Sequence, residues 1–271
     1  MKKWFRFIIR LARAAQENGL LSLAAELSYK LIFALFPFML FVMSLVGLFH
    51  IRAEALLNRL MFVLPPVAQD VLSGALAEAP GGNTGVLSAG LLVSAFSASS
   101  GFNAVIRGIN KAYRVEETRS FLHVRLVALL MVLVFALAVV ASALLLVYGD
   151  GLYAFLSDNL GDSGTLRVVF GTAGYLVLML MLLFAVILIY KFSGARKVSV
   201  YDVFPGAFTT LLVWLAASKG FSVYVNEFSG HSRVYGSIAG VFLLMLWLNL
   251  IAAALLLGGE VNALLKNEGQ L

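Results

Sequence analysis

Six apolar runs of about 20 residues recur along the 271-residue sequence and constrain its fold more than any other feature. About 20 helical residues cross a hydrocarbon core of roughly 30 Å, so each run is long enough to span a bilayer. Inside lipid the backbone must satisfy its own hydrogen bonds, and no run alternates like a membrane β-strand. The sequence therefore predicts an all-α polytopic membrane protein with a six-transmembrane-helix bundle. The predicted spans lie near residues 31–49, 86–106, 124–148, 167–190, 203–224 and 237–258.

The composition agrees with this class of protein. Hydrophobic residues make up 61% of the sequence and charged residues 13%, whereas soluble domains carry roughly 25% charged residues. The absence of cysteine excludes disulfides, thiolate metal sites and cysteine nucleophiles. No internal repeat or linker divides the chain, so we expect residues 1–271 to form a single integral membrane domain.

The distribution of basic residues predicts the orientation. Of the 20 Lys and Arg residues, 14 lie in segments on the same side as the N-terminus and five in segments on the other side, while Lys30 lies at the edge of the first run. Short loops rich in Lys and Arg stay in the cytoplasm. An even number of spans then makes both termini cytoplasmic.

Two amphipathic segments flank the first apolar run. Residues 1–18 interleave basic and apolar side chains, and we interpret them as an interfacial helix lying against anionic lipid; a plain cytosolic helix is the alternative. Residues 50–84 contain two amphipathic stretches separated by Pro65 and Pro66, and they are too charged to span twice. We expect them to form short helices across the outer mouth of the bundle.

Polar residues in or beside the apolar runs are the first candidates for function, because a charged group near mid-bilayer costs roughly 2.5–3.5 kcal/mol. Glu26 and Lys30 are spaced i, i+4 in the order that favours an ion pair. Pro37 is expected to kink or loosen the same helix, because it lacks a backbone donor. The alternative is that the pair only reaches toward the cytoplasmic boundary.

The second predicted helix has one polar face and one small face. At 100° per residue, one stripe contains Ser99, Asn103, Arg107 and Asn110, and the opposite side contains Ser94, Ser97, Gly101 and Gly108. A small face favours close packing, and the polar stripe must face another polar group, water or a substrate. Interhelical hydrogen bonds are the alternative explanation for Ser99 and Asn103.

The last predicted helix carries Asn249 and Glu260, which are eleven residues apart and lie on nearly the same face. Glu260 is either part of a binding site or simply hydrated at the inner surface. Gly236 and Gly240, at the outer start of this helix, are interpreted as a packing groove for a neighbouring helix.

Enzymatic and nucleic-acid-binding functions find no support in the sequence. Signatures of metalloproteases, serine hydrolases, P-loops and dinucleotide-binding sites do not occur. His50, His123 and His231 fall at separate edges of the predicted spans and do not form a shared metal site. The basic residues come without an RNA-binding motif or a stacking platform. We therefore expect no catalytic residue, no cofactor, no metal and no nucleic-acid partner.

Three stretches resemble one known family. They are LSLAAELSYKLIFALFPFMLF, FNAVIRGINKAYRVEETRSF, and a final third with the motifs Pro205-Gly206, Tyr235-Gly236-Ser237 and Gly259-Glu260-Val261-Asn262. Together they are similar to the first helix, the second helix with its basic loop, and the C-terminal motifs of the BrkB/YihY family. The resemblance covers essentially the whole chain.

This resemblance implies a six-helix protein of the bacterial inner membrane with both termini cytoplasmic. It also implies links to serum resistance and virulence and a suspected transport activity. The family once carried a ribonuclease BN label, for which this sequence offers no catalytic group. Glu26 and Lys30 occupy positions where small or apolar residues are expected in many relatives, so their role is expected to be particular to this chain.

The leading hypothesis is a transporter or lipid-handling translocator that moves an amphipathic or anionic substrate through a polar cavity between the first, second and sixth spans. Lys30 and Arg107 would donate to a carboxylate or phosphate, and Pro37 and Pro205 would be the flexible points. The alternative is a non-transporting scaffold that organises envelope proteins or membrane lipids. The predicted substrate-binding residues are Glu26, Lys30, Ser99, Asn103, Arg107, Asn249 and Glu260. The predicted hinge or packing residues are Pro37, Pro205, Gly206, Gly236 and Gly240.

Overall fold

A computed structural model describes residues 2–48, 84–160, 164–195, 198–228 and 236–268. These residues form seven α-helices and no β-strand. In chain order the helices are α1 (Lys2–Glu17), α2 (Leu20–Leu48), α3 (Thr84–Ala112), α4 (Phe121–Leu160), α5 (Gly164–Ser193), α6 (Val200–Phe228) and α7 (Gly236–Glu268). The all-helical class predicted from the sequence is confirmed.

The helices from α2 to α7 contain 29 to 40 residues each and extend beyond the predicted spans. The first predicted span starts near residue 31, for example, whereas α2 already begins at Leu20. The hydropathy pattern marks only the part of a helix that suits lipid, while the backbone continues as helix into the polar ends. Nearly all of the predicted segment 50–84 lies outside the described residues, and its predicted short helices remain a prediction.

Three helical stretches among the described residues are long and apolar enough to cross a membrane. They are Phe121–Ala138 in α4, Val200–Val225 in α6 and Gly240–Lys266 in α7. Large apolar side chains also lie exposed at helical spacing, as Leu176, Leu180 and Phe184 do on α5. A soluble protein rarely leaves such contiguous apolar stripes uncovered, so these faces suit contact with lipid.

The ends of several helices are joined by hydrogen bonds and a salt bridge at one end of the bundle, which we call the α1 end. Asn18, in the turn between α1 and α2, bonds to Glu260 of α7. Asn110, near the end of α3, accepts a hydrogen bond from the Ala195 amide just after α5. Lys266 of α7 pairs with Asp202 in the first turn of α6. The helices from α2 to α7 therefore alternate in direction along the chain.

The packing between α2, α3 and α7 is apolar and close. Ala24, Ile109 and Ala252 are fully buried members of one core cluster at these helices. A Cβ atom built on Gly101 would lie 2.8 Å from the Ala34 Cβ of α2, and one on Gly108 would lie 2.6 Å from Leu256 of α7. The small face of α3 thus faces its helical neighbours, which leaves its polar stripe at the opposite side.

A second close contact joins α6 to α7. A Cβ atom on Gly206 would collide with the Gly258 carbonyl and the Asn262 amide. The Gly206 amide donates to Asn262 Oδ1 at 2.7 Å. Proline loosens the backbone hydrogen bonds of the helix around it, and the Asn262 side chain supplies an acceptor next to Pro205. α6 is nonetheless continuous through Pro205, as α2 is through Pro37.

Candidate functional site: a basic groove beside a buried carboxylate

An open groove runs along α3 at the α1 end. The groove is lined by three cationic side chains, which lie on α3 and in the turn after α3. An asparagine in the turn between α1 and α2, which we call the elbow, lines it as well. Its volume is about 490 Å³. The lining residues are Asn18, Arg107, Asn110, Lys111, Arg114, Val115, Glu116 and Glu117. The groove therefore offers several hydrogen-bond donors and positive charges in one place.

Arg107 and Lys111 are exposed and one helical turn apart. Among the residues that the structure describes, neither side chain has a hydrogen-bond or salt-bridge partner. Arg114, by contrast, donates to Glu17 of α1 at 3.2 Å. The two unpaired cations are the groups in the groove that are available to an anion.

The predicted polar stripe of α3 continues inward from the groove. Asn103, one turn before Arg107, is half-buried, and its side-chain oxygen Oδ1 has no hydrogen-bond partner among the described residues. Ser99 is fully buried, but its hydroxyl donates to the Phe96 carbonyl of the same helix at 2.6 Å. Ser99 is thus satisfied within α3 and makes no interhelical hydrogen bond through that donor.

Glu26 and Lys30 form the predicted i, i+4 ion pair on α2. Glu26 is exposed and Lys30 is half-buried. The positive charges of Arg107 and Lys111 also act on the Glu26 carboxylate, so the pair lies beside the basic face of α3. The structure therefore brings together four charged groups on the outer side of α2 and α3.

Glu260 also lies at the α1 end, but its side chain is buried, unlike the charged groups on the outer side of α2 and α3. Its side chain is only 3% exposed, and it accepts a hydrogen bond from Asn18 Nδ2. The elbow that positions Asn18 ends α1: Gly19 has a φ of +64°, a left-handed conformation that glycine adopts without strain. Asn249, eleven residues earlier on α7, is half-buried, and no contact joins it to Glu260.

A cavity of about 240 Å³ lies against Glu260. Alanine and leucine side chains of α1, α3 and α7 provide its apolar walls, and a tyrosine and an arginine after α3 complete it. Its lining residues are Ala14, Ala112, Tyr113, Arg114, Glu260, Ala263 and Leu264. Arg114 lines both this cavity and the basic groove, so the two spaces are neighbours.

Two buried polar atoms near this cavity lack a hydrogen-bond partner among the described residues. They are Tyr113 Oη and Asn262 Nδ2. Asn262 lies close enough to act on the Tyr113 phenol, but without normal hydrogen-bond geometry. Unsatisfied buried polar atoms are uncommon in proteins and mark places where water or a ligand binds.

The loop after α3 is held by a carboxylate and a guanidinium. Arg119 donates to the Phe192 and Ser193 carbonyls at 3.2 and 2.7 Å, so it caps the C-terminal end of α5. Glu117 accepts from both Arg119 and Asn110. The hydrogen bonds from Arg119 lower the pKa of Glu117 to about 2. This loop forms one wall of the groove, and the bonds fix its position.

A buried hydroxyl pair joins α5, α6 and α7. Tyr190 Oη lies 2.5 Å from Thr210 Oγ1 and donates to the Leu255 carbonyl. Sequence reasoning missed this pair, because Tyr190 ends an apolar run and Thr210 lies inside another. It also missed Asn18, Tyr113 and Arg114; of these, only Asn18 had a local signal, since Asn-Gly is a helix-ending dipeptide.

The predicted hinge and packing residues are only partly described. Pro37 and Pro205 lie inside continuous helices, and Gly206 lies at the α6–α7 contact. Gly240 is half-buried, and the surroundings of Gly236 lie outside the described part of the structure. Their predicted roles in motion remain predictions.

Apolar helices long enough to span a bilayer, lipid-compatible outer faces and polar groups gathered at one end define a helical membrane protein. The chain belongs to the family described as virulence factor BrkB, whose model matches residues 11–270. The family resemblance proposed from the sequence is therefore confirmed.

Relatives of known name agree with this assignment. The chain is 34% identical over 251 residues to the ribonuclease-like protein YfkH of Bacillus subtilis (strain 168), covering 92% of this chain and 91% of YfkH. It is 23% identical to a UPF0761 membrane protein of Alteromonas mediterranea, over 94% of this chain and 85% of the relative. It is 27% identical to a UPF0761 membrane protein of Laribacter hongkongensis, over 94% of this chain and 60% of the relative. No solved structure matches. This is a family of membrane proteins and not a known enzyme family.

Proposed function

We propose that this protein is a multi-pass protein of the bacterial inner membrane that binds an anionic amphipathic substrate, of which a lipid with a phosphate headgroup is the model, and moves it between the leaflets. The observation that carries the proposal is the pair of exposed cations Arg107 and Lys111 in the groove, which form no hydrogen bond or salt bridge within the described part of the chain. A phosphate or carboxylate held by such donors gains charge-assisted hydrogen bonds, which are the strong ones.

The outer face of α3 supports a route for the headgroup. Lys111, Arg107 and Asn103 follow one another at steps of four residues and so lie along one side of α3, and Arg114 lies in the turn just after it. The Glu26–Lys30 pair of α2 flanks this stripe. A headgroup would move along the stripe while its acyl chains stay in the surrounding lipid, which avoids burying a charge in an apolar core.

The proposed arrangement in the membrane uses α2 to α7 as six spans, α1 as an interfacial helix, and the α1 end as the cytoplasmic end. Its support is the excess of Lys and Arg in the segments at this end. Phe5, Ile8 and Ile9 of α1 are exposed, as the apolar face of an interfacial helix would be before it meets lipid.

A non-transporting scaffold is the second candidate. It is favoured by the apolar packing of Ala24, Ile109 and Ala252 between α2, α3 and α7, where the sequence had suggested a polar cavity. A scaffold would use the basic groove to hold lipids or envelope proteins without moving them. Binding with no flux distinguishes it from the translocator.

The test measures lipid movement by the full-length protein in phosphatidylcholine vesicles that contain fluorescent phosphatidylglycerol. A membrane-impermeant reductant bleaches the outer leaflet, and movement between leaflets exposes the remaining probe. We expect the protein to accelerate the second phase. Arg107→Ala and Lys111→Ala should each lower its rate roughly tenfold, the loss expected for one charge-assisted hydrogen bond.

Lys219→Ala is the matched control, because Lys219 is an exposed cation of α6 that lines neither the groove nor the cavity. Its rate should equal that of the unmodified protein. Equal rates for all three variants would contradict the role of the groove. Lipid movement no faster than in empty vesicles, with binding retained, would favour the scaffold.

A further inference from the structure

We propose that the substrate carries a primary ammonium group beside its phosphate, and that Glu260 and Tyr113 bind this ammonium in the cavity next to the groove. The inference rests on the proposed function, because it names the second charge of the same substrate. Phosphoethanolamine, free or as a lipid headgroup, has this chemistry.

Within the described ranges, the Glu260 carboxylate forms no salt bridge. It is 3% exposed, and its hydrogen bond among the described residues comes from the neutral amide of Asn18. Removing a carboxylate from water is costly unless an opposite charge or several donors compensate it. A bound ammonium group would supply that charge.

The neighbouring Arg114 does not supply it in full. Its guanidinium acts on Glu260 but also forms a salt bridge with Glu17 at 3.2 Å. Arg114 is therefore shared between Glu17 and Glu260. A monovalent cation bound in the cavity would place a second positive charge next to Glu260.

The cavity has the shape and the lining for a small amine. Its volume is about 240 Å³. Ala14, Ala112 and Leu264 provide apolar walls for methylene groups. Tyr113 Oη is buried without a partner among the described residues and can accept from an ammonium N–H.

The position of Arg114 connects the cavity to the groove. Arg114 lines both spaces and has a φ of +52°, the positive value that non-glycine residues rarely adopt. This conformation belongs to the turn that ends α3, where the Arg114 amide donates to the Lys111 carbonyl and the Val115 amide to the Asn110 carbonyl. A ligand with adjacent opposite charges would place its phosphate toward Arg107 and Lys111 and its ammonium toward Glu260.

The test compares equilibrium binding of three short-chain lipids to the full-length protein in a nonionic detergent. Dihexanoyl phosphatidylethanolamine has the primary ammonium, phosphatidylcholine has a quaternary nitrogen without N–H donors, and phosphatidylglycerol has no nitrogen. We expect phosphatidylethanolamine to bind about tenfold more tightly than phosphatidylcholine, because only its ammonium donates hydrogen bonds to a carboxylate.

Glu260→Gln should abolish this tenfold preference and leave phosphatidylglycerol binding unchanged. The glutamine side chain keeps an oxygen that accepts from Asn18, so the elbow retains its bond. Tyr113→Phe should reduce the preference as well, and it removes a hydroxyl that makes no hydrogen bond of normal geometry to the described residues. Asp202→Asn is the comparison for charge: it removes a carboxylate that acts on Tyr113 from outside the cavity lining, and it should reduce the preference less than Glu260→Gln does.

The outcomes separate this inference from the proposed function. Absence of the preference in the unmodified protein, or a preference that survives Glu260→Gln, overturns the ammonium site whatever Arg107→Ala does to lipid movement. Loss of phosphatidylglycerol binding in Glu260→Gln equally overturns it, because the residue would then act on the fold. If soluble phosphoethanolamine competes with phosphatidylethanolamine for binding, the protein recognises the free headgroup. If it does not compete, the protein recognises the whole lipid. The ammonium site stands in both cases.

Discussion

At the scale of single residues, two glycines determine how closely α6 and α7 approach. A Cβ atom on Gly258 would collide with Thr210 Oγ1, Tyr190 Oη and the Gly206 carbonyl. The Thr210 and Tyr190 hydroxyls form the buried hydroxyl pair, and the Gly206 carbonyl accepts from Thr210. The close approach of the two backbones and these hydrogen bonds therefore depend on one another. Small residues allow such approach in membrane helices, where packing and hydrogen bonds replace the hydrophobic effect as the source of association.

Gly258→Ala should therefore destabilise the protein by about 1–3 kcal/mol, the usual result of overfilling a packed interior. Gly220→Ala is the matched control, because a Cβ atom at Gly220 of α6 meets nothing within 4 Å. In a helix interior the control is expected to be neutral or stabilising by about 0.5–1 kcal/mol. Thermal or denaturant unfolding in detergent measures both, and equal stabilities of the two variants would contradict the proposed contact.

At the scale of elements, one short loop holds α3, α4 and α5 in register. Asn110 of α3 bonds both to Glu117 and to the Ala195 amide. Arg119, just before α4, caps the last carbonyls of α5. The basic groove keeps its shape because these bonds fix the loop wall, although none of them involves Arg107 or Lys111.

This loop should make stability depend on pH in the acid range. The pKa of Glu117 falls from 4.5 to about 2 in the folded protein, chiefly through the hydrogen bonds from Arg119. A carboxyl group with a lowered folded pKa stabilises the folded state fully above its unfolded pKa and loses that contribution as the pH falls through the folded value. Glu117→Gln should thus reduce the melting temperature at pH 7, and the difference from the unmodified protein should shrink between pH 4.5 and about pH 2.

Thermal unfolding in detergent at pH 7, 4 and 3 provides the measurement. A Glu117→Gln difference that stays constant over this range would show that the carboxylate charge contributes nothing to the loop. Asp202→Asn serves as a comparison, because that variant removes a carboxylate at the same end without touching this loop.

At the scale of the whole molecule, the alternation of helices assigns each loop to one of two ends. The first residues of α2, α4 and α6 and the last residues of α3, α5 and α7 lie at the α1 end, whereas the end of α4 and the start of α5 lie at the other. The excess of Lys and Arg then predicts that the α1 end is cytoplasmic.

The natural absence of cysteine makes this prediction easy to test with single substitutions. Ser199→Cys introduces an exposed thiol before α6, at the α1 end, and Ser163→Cys introduces a thiol in the stretch of sequence between α4 and α5. In intact spheroplasts a membrane-impermeant maleimide should label Ser163→Cys only. Ser199→Cys should react after the membrane is opened, and the reverse pattern would invert the proposed orientation.

The class of protein, its family and the approximate position of each long helix followed from the sequence by itself. Hydropathy and the need to satisfy the backbone in lipid are local properties, so a run of about 20 apolar residues predicts a spanning helix without knowledge of its neighbours. The Glu26–Lys30 pair was also predictable, because both residues lie on one helical turn.

Only the tertiary structure decided which polar groups meet. Asn18 and Glu260 are 242 positions apart, and Asn110 and the Ala195 amide 85, so no periodic pattern could bring them together. The polar cavity expected between three spans stays a prediction, whereas the described residues show that the small face of α3 packs against α2 and α7. Its charged face consequently points outward, beside the groove, and the buried carboxylate lies behind it at the end of α7. Packing between distant helices selects these neighbours, and it leaves no signal in the order of residues along the chain.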